Sequence, residues 1–366
     1  KKRLPDYRIV ISTTTVTGQA IAKERFGPES VFHFPFDFGW IVRRTLSIAQ
    51  PQMIIMMESE LWPRFLYECK RRRIPVIVAN GRMSDRSFRG YQRARVWTKR
   101  MLDNISLWLM QSAADAERIV ALGIPADSVK NLGNLKYDLS AGDESKRERI
   151  ATNLAEHFGL DNIKHLIIAG STTEGEEPII LEGFKKVRQT KGLEQTRLMI
   201  VPRHPERFDE VARLIKHAGF SLARRSEASV QNADVLLLDT IGELAAAFRF
   251  ATVVFIGGSL VPKGGHNILE PAAYAKPIIV GPYMENFRQV MADFTTRNAV
   301  VQLPKLEGPA LGEALAATVT ELIFNEQASR QLGERAQAVI LENRGAAERY
   351  AEEIAKRLCS RSETQS

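Results

Sequence analysis

Short runs of β-branched and apolar residues recur along the chain, each followed by a stretch long enough for a helix. In Met53-Ile54-Ile55-Met56-Met57 no polar residue alternates with the apolar ones, so the pattern requires cover on both faces of the strand. That is the signature of a parallel sheet, whose strands are joined by crossover helices lying on its two sides. Residues 7–12, 53–58, 75–80 and 104–110, with a short run at 129–132, form one series of this kind; residues 165–170, 198–203, 235–239, 252–258 and 277–281 form another. Between them, residues 138–149 carry no strand signal and read as a connection running into a helix. The boundary is expected near Ser140, giving domains over 1–140 and 141–366, the second including a terminal helix over about 344–358 before a frayed polar end. Two doubly wound α/β domains facing across a cleft follow, with ligands expected beyond the carboxyl ends of the strands.

The length of 366 residues agrees with two cores rather than one. An apolar content of 44% with 26% charged residues is that of a soluble folded chain, and no apolar stretch reaches the roughly 20 residues of a bilayer span. Cys69 and Cys359 have no metal-type spacing, so neither a disulfide framework nor a zinc site is expected, and a reducing, cytoplasmic setting is. The net charge of +8 is unevenly placed: the first 140 residues hold 23 Lys and Arg against 13 Asp and Glu, and the rest 28 against 30. An anionic partner is expected for the first part, either a phosphorylated lipid at a membrane surface or nucleic acid. The chain opens on Lys1-Lys2-Arg3 rather than Met and runs at once toward a strand, so an upstream piece is expected to be missing.

The second half carries the sharpest motifs. Residues 257–272, GGSLVPKGGHNILEPA, follow a strand and are expected to open a helix. The glycines let the backbone pass close to a phosphate, and the free N–H groups of the helix start attract it. Asn267 and Glu270 share a helix face, where Glu270 is placed to accept from ribose hydroxyls. Arg203, in Val201-Pro202-Arg203-His204-Pro205, sits at a strand end and is suited to clamp a phosphate; His204 beside two prolines reads first as a loop-shaping residue, with acid–base work the alternative. In Asp239-Thr240-Ile241-Gly242-Glu243, Gly242 allows close approach of a base or sugar, while Glu243 alone reads as charge at a helix start.

In the first half, Glu58-Ser59-Glu60 ends an apolar strand just before Trp62-Pro63. If the backbone stays extended the two carboxylates point the same way, suited to a general base or to orienting a sugar hydroxyl; a helix cap with first-turn charge fits equally well. Lys136, in Gly133-Asn134-Leu135-Lys136-Tyr137-Asp138, is either a surface charge or a neutraliser of a leaving phosphate. Residues 84–101 mix Arg93, Lys99 and Arg100 with Phe88, Tyr91 and Trp97, as on a helix at an anionic lipid surface or on an ordinary charged face. No Asp-x-Asp triplet occurs, so a metal-held diphosphate is disfavoured, and no Walker motif is present.

Taken together, the segments MESELWP, IVANGRMS, GNLKYD, GSTTEGEE, VPRHPERF, DTIGEL and GGSLVPKGGHNILEPAAYAKPIIVGP resemble the Kdo (3-deoxy-D-manno-octulosonic acid) transferases of Gram-negative bacteria, in the same order and over nearly the whole chain. The resemblance implies a GT-B fold and an inverting transfer of Kdo from CMP-Kdo to a lipid A precursor, with no cofactor, no metal and no nucleic acid. It also implies an anchored enzyme at the anionic cytoplasmic face of the inner membrane. By the same resemblance CMP is held by Pro202, Arg203, Ile241, Gly242, Glu243, Asn267, Ile268, Leu269 and Glu270, and charge is stabilised by Glu60 and Lys136. The family's proposed base, a Glu after the first strand, is expected upstream of Lys1, so this chain by itself is expected to bind CMP without transferring Kdo at a useful rate. A nucleotide-sugar epimerase or another GT-B transferase is the alternative of the same fold; a nonenzymatic binder of anionic surfaces or nucleic acid is the alternative of another class.

Overall fold

The computed structural model describes residues 4–139, 144–229, 232–306 and 308–365. Lys1–Arg3 and the junction expected at Ser140 lie outside the described residues. The chain forms two compact units, one made of Lys1–Asp138 with Gly345–Ser366 and one of Leu139–Arg344.

The first unit contains strands β1 (Ile11–Thr13), β2 (Val31–His33), β3 (Ile54–Met57), β4 (Val76–Gly81), β5 (Leu107–Met110) and β6 (Val129–Asn131). β1 and β2 pair with each other, and β3-β4-β5-β6 form a second sheet in that order, every pairing parallel. Alternate residues of β4 and β5 feed two cores. Val76, Val78, Trp108 and Met110 pack on one face with Leu66 and Ile119. Ile77, Ala79, Leu107 and Leu109 pack on the other with Ala346 and Tyr350. Those last two residues begin the helix Ala346–Gln365, so the terminal helix expected in the second domain belongs to the first. The reason is the apolar second face of β4 and β5, which this helix covers. Polar contacts fix it in place: the Tyr350 hydroxyl donates to the carbonyls of Leu109 at 3.2 Å and Gly133 at 3.1 Å, Lys130 pairs with Glu353 at 2.6 Å, and Asp138 accepts from Gly345 N–H at 2.7 Å.

The cover expected on both faces of 53–57 is incomplete. Met56 is buried, but Ile55 and Met57 are 45% and 53% exposed, because β3 is the sheet edge and the terminal helix core reaches only Met53 beside it.

The second unit holds β7 (Leu166–Thr172), β8 (Arg197–Pro202), β9 (Leu222–Arg224), β10 (Val235–Leu237), β11 (Val253–Ile256), β12 (Ile278–Val280) and β13 (Val301–Gln302). They form one parallel sheet in the order β13-β12-β11-β7-β8-β10-β9. The winding leaves β7 in one direction through β8 and returns on its other side at β11, so the topological switch point lies between β7 and β11. Ile167, Leu198, Val235 and Phe255 pack against the helices Glu177–Gln189 and Pro309–Phe324 through Phe184, Leu315 and Val319. Among the described residues, no helix is long and apolar enough to cross a membrane.

Candidate active site

The carboxyl ends of β7, β8 and β11 are stitched together at the switch point. Arg203 N–H donates to the Thr172 carbonyl at 2.9 Å and Gly257 N–H to the Gly170 carbonyl at 2.9 Å. The approach at Gly257 is close enough that a Cβ there would lie 2.5 Å from the Ser171 carbonyl oxygen, which only glycine permits.

The loop that leaves β11 corrects the expected phosphate cradle. Its N–H groups at Gly258, Ser259 and Leu260 all donate to the carboxylate of Glu176, at 2.6, 2.9 and 2.8 Å. Thr173 adds its N–H at 2.9 Å and its hydroxyl at 3.0 Å. Glu176 is fully buried. Burial pushes its carboxyl up, while Gly258, Leu260 and Thr173 pull it back. Four of the five donors are backbone N–H groups, which require an acceptor, so the ionised form is the one this cage fits. Thus the glycine-rich turn is organised by an anion of the protein's own, and the amides expected to meet a phosphate are already satisfied.

The expected helix dipole is also reduced. Residues 257–268 are loop, and the helix they open, Leu269–Ala273, is five residues long, so few peptide dipoles align behind its start. Ile268 and Leu269 are fully buried. Asn267 holds the turn, accepting from Leu269 N–H at 3.1 Å and donating to Glu270 at 3.2 Å. Burial pushes the Glu270 carboxyl up; Asn267 and the charges of Arg147 and Arg203 oppose that shift. The same Arg203, with His204, bears on His266, whose imidazole burial holds below its ordinary range. The Arg203 charge therefore bears on both Glu270 and His266, and Arg203 itself is exposed beyond the buried Pro202.

At the end of β10, Ile241 is 81% exposed and Gly242, at φ 89°, has open space where a side chain would be. Glu243 is tied down: Arg225 donates to it through Nε at 3.0 Å and Nη2 at 3.0 Å, and the Thr240 hydroxyl donates as well. Burial works against its charge, but these partners outweigh it and hold the carboxyl below the usual range.

In the first unit the expected alignment of Glu58 with Glu60 fails, because Glu58 takes a left-handed φ of 56° that breaks the extended alternation. Glu58 pairs with Arg82 at 3.1 Å; Glu60 is exposed just beyond β3. Lys136 opens the one-turn helix Lys136–Leu139 after β6. Its loop runs back across the sheet end: Leu135 N–H donates to the Asn80 side chain at 3.1 Å, and Asn80 is the penultimate residue of β4, the neighbour of β3. Glu60 and Lys136 thus both lie at the carboxyl edge of one sheet.

A family model described as 3-deoxy-D-manno-octulosonic-acid transferase (kdotransferase) matches residues 1–139. The 3-deoxy-D-manno-octulosonic acid transferase of Haemophilus influenzae is 36% identical over 349 residues, which is 94% of this chain and 79% of that protein. The chain belongs to this transferase family. The transferase of the same name from Bordetella pertussis is 30% identical over 81% of this chain and 70% of its own length. Among solved structures, Anabaena Alr3699/HepE in complex with UDP superposes with a TM-score of 0.59 at 15% identity, covering 98% of this chain and 94% of that one. A likeness at that identity concerns the fold alone, and the fold is the GT-B architecture of nucleotide-sugar enzymes.

Within this glycosyltransferase, Glu176 and Arg225 are residues that sequence reasoning did not single out. Glu176 stood inside GSTTEGEE among two other glutamates, and nothing in the spacing told which one reaches the loop after β11. Arg225 acts on Glu243 across 18 positions, a separation with no periodic signal.

Proposed function

We propose that this transferase moves Kdo from CMP-Kdo to a lipid A precursor, with CMP held at the switch point of the second unit. The observation that carries the reading is that the charge of Arg203, at the end of β8, bears on both the Glu270 carboxyl and the His266 ring of the loop after β11, where Asn267 holds the turn. A cation for one phosphate and a half-buried carboxyl for a ribose are what a nucleoside monophosphate needs there. Ile241 and Gly242 supply an apolar, open edge for the base, and Glu243 acts by fixing that edge through Arg225. Departure of CMP leaves negative charge, which Arg203 stabilises in the second unit; Glu60 and Lys136, at the sheet end of the first unit, keep the charge-stabilising roles that the resemblance gave them. Calorimetry with CMP tests this. Arg203→Ala is expected to weaken binding by about 1.5–3 kcal/mol, the scale of a charge-assisted hydrogen bond; unchanged affinity removes Arg203 from the site.

The first unit is assigned to the lipid acceptor at the anionic cytoplasmic face of the inner membrane. Val96 and Trp97 are 66% and 75% exposed on the helix Arg95–Leu102, with Arg100 stacked 5.9 Å from the Trp97 ring. Reversal of Arg93, Lys99 and Arg100 to Glu is expected to lower cosedimentation with anionic vesicles, each cation contributing about 1 kcal/mol at the surface. Equal cosedimentation of the two proteins reduces this segment to a solvated face.

A further inference from the structure

His266 sits inside the glycine-rich loop with its Nε2 buried and, among the described residues, without a hydrogen-bond partner. An imidazole nitrogen shut away from both protein and solvent is destabilising, and such groups persist where function uses them. The ring lies against Gly258, at φ 68°, where a Cβ would fall 2.8 Å from Nε2. Glycine at 258 therefore lets the ring edge that carries this nitrogen pack directly against the backbone. The charges that bear on the ring come from the loop after β8: Arg203 and His204, the second of these 3.7 Å from Glu206. Glu270, four residues further along the chain, feels Arg203 as well. The loop itself is rigidly held, since Gly265 N–H donates to the Gly258 carbonyl at 2.7 Å and Glu176 cages the preceding amides. The ring is thus a fixed group beside the cationic Arg203, and the ligand that completes it is an anion.

We propose that His266 is a phosphate-positioning residue of the donor site, and that a phosphate arriving against it brings a proton onto the imidazole. The inference rests on the reading of the switch point as the CMP site. Before a phosphate binds, burial and the Arg203 charge oppose the imidazolium. A phosphate between His266 and Arg203 reverses that balance, so binding takes up one proton from solvent and is tighter at lower pH. The device matches a donor whose phosphate is a singly charged diester: one imidazolium adds the second cation only when the nucleotide is present.

The test uses the methyl ester of CMP, a phosphodiester that does not itself titrate near neutral pH, and CMP as a second ligand. Binding of both to the full chain is measured by calorimetry at pH 6, 7 and 8, for the wild type and His266→Gln. The proposal expects wild-type affinity for the ester to rise as pH falls, by up to about tenfold per pH unit, and the ratio of wild type to variant to rise with it. A ratio independent of pH overturns the role of His266 while leaving the nucleotide site intact. Absence of binding by either ligand to the wild type overturns the CMP reading and the proposal with it. Should His266→Gln fail to fold, the wild type alone decides: enthalpies in buffers of different ionisation heat show proton uptake on ester binding, or, by its lack, refute the proposal.

Discussion

Glu176 separates what a residue type announces from what its surroundings make of it. The sequence offers a glycine-rich turn and, far from it along the chain, a row of glutamates, and the general chemistry of such turns points to a phosphate. In the folded chain a carboxylate has taken the three amides first, because Glu176 reaches them from the loop after β7 at hydrogen-bonding distance. Glu176→Gln tests that assignment. One carboxylate oxygen accepts from Ser259 and Leu260 and the other from Gly258 and Thr173, so either orientation of the amide sets an NH2 against at least two backbone N–H groups. A loss of about 2–4 kcal/mol from the unfolding free energy of the second unit is expected in denaturant titrations, with weaker CMP binding as the loop loosens. An unaltered midpoint would show that the cage is not holding the loop. The positions of Arg203 and Glu270 were legible because each stands at a strand end or on a helix start, positions that spacing alone identifies. Glu243 was legible as a position and not as a role: its partner Arg225 lies on the far side of a separate strand.

At the scale of the element, apolar runs announced themselves and strands without such a run did not. β4 and β11 were expected within about two residues of where they lie, since Val76–Gly81 and Val253–Ile256 have every residue buried. β2, β9 and β13 are two or three residues long, and their composition, Val-Phe-His, Leu-Ala-Arg and Val-Gln, carries no run to detect; they are strands because a neighbour offers a ladder. β9 shows what else holds such an edge. Arg224 donates from Nε to Asp239 at 2.7 Å, and Ser226 N–H donates to the same carboxylate at 2.9 Å, so the end of β9 is pinned to the end of β10. Burial opposes the charge of Asp239, yet the bonds from Ser226 and Arg224 prevail and hold its carboxyl below the ordinary range; Glu243 is held low in the same way by Arg225. A carboxyl whose folded value is depressed contributes stability that is present above its unfolded value and lost as pH falls through the folded one. The pin is therefore expected to weaken below roughly pH 4. Amide exchange at residues 222–226 is expected to accelerate there before the central strand β7 responds, and Asp239→Asn should show the faster exchange already at pH 7. Equal protection of β9 and β7 down to pH 3 would contradict this.

For the whole molecule, the consequential misreading is the destination of the last helix. Sequence order places it after the second sheet, and nothing local distinguishes a helix that caps its own domain from one that returns to the other. What decides is the unpaired face of β4 and β5: Ile77, Ala79, Leu107 and Leu109 are all buried, and Ala346 and Tyr350 are what buries them. The two halves of the chain are thus not separable at a single point, since the first unit needs residues from beyond the second. Deleting residues 345–366 removes that cover, the two hydrogen bonds from the Tyr350 hydroxyl and the Lys130–Glu353 pair, leaving the carbonyls of Leu109 and Gly133 without that donor. Losing a Tyr-sized buried side chain alone costs about 3–5 kcal/mol by analogy with other large aromatic truncations, a sizeable share of the roughly 5–15 kcal/mol that holds a domain. The shortened chain is expected to lose the calorimetric transition of the first unit while keeping that of the second, and to bind CMP as the longer chain does, because Arg203, His266 and Glu270 all lie within Leu139–Arg344. Tyr350→Phe, which keeps the ring and removes only the hydroxyl, is expected to lower the first transition by an amount equivalent to about 1–3 kcal/mol. If both transitions survive the deletion unchanged, the first unit is stable without its returning helix and the division of the chain at one point near Ser140 is restored.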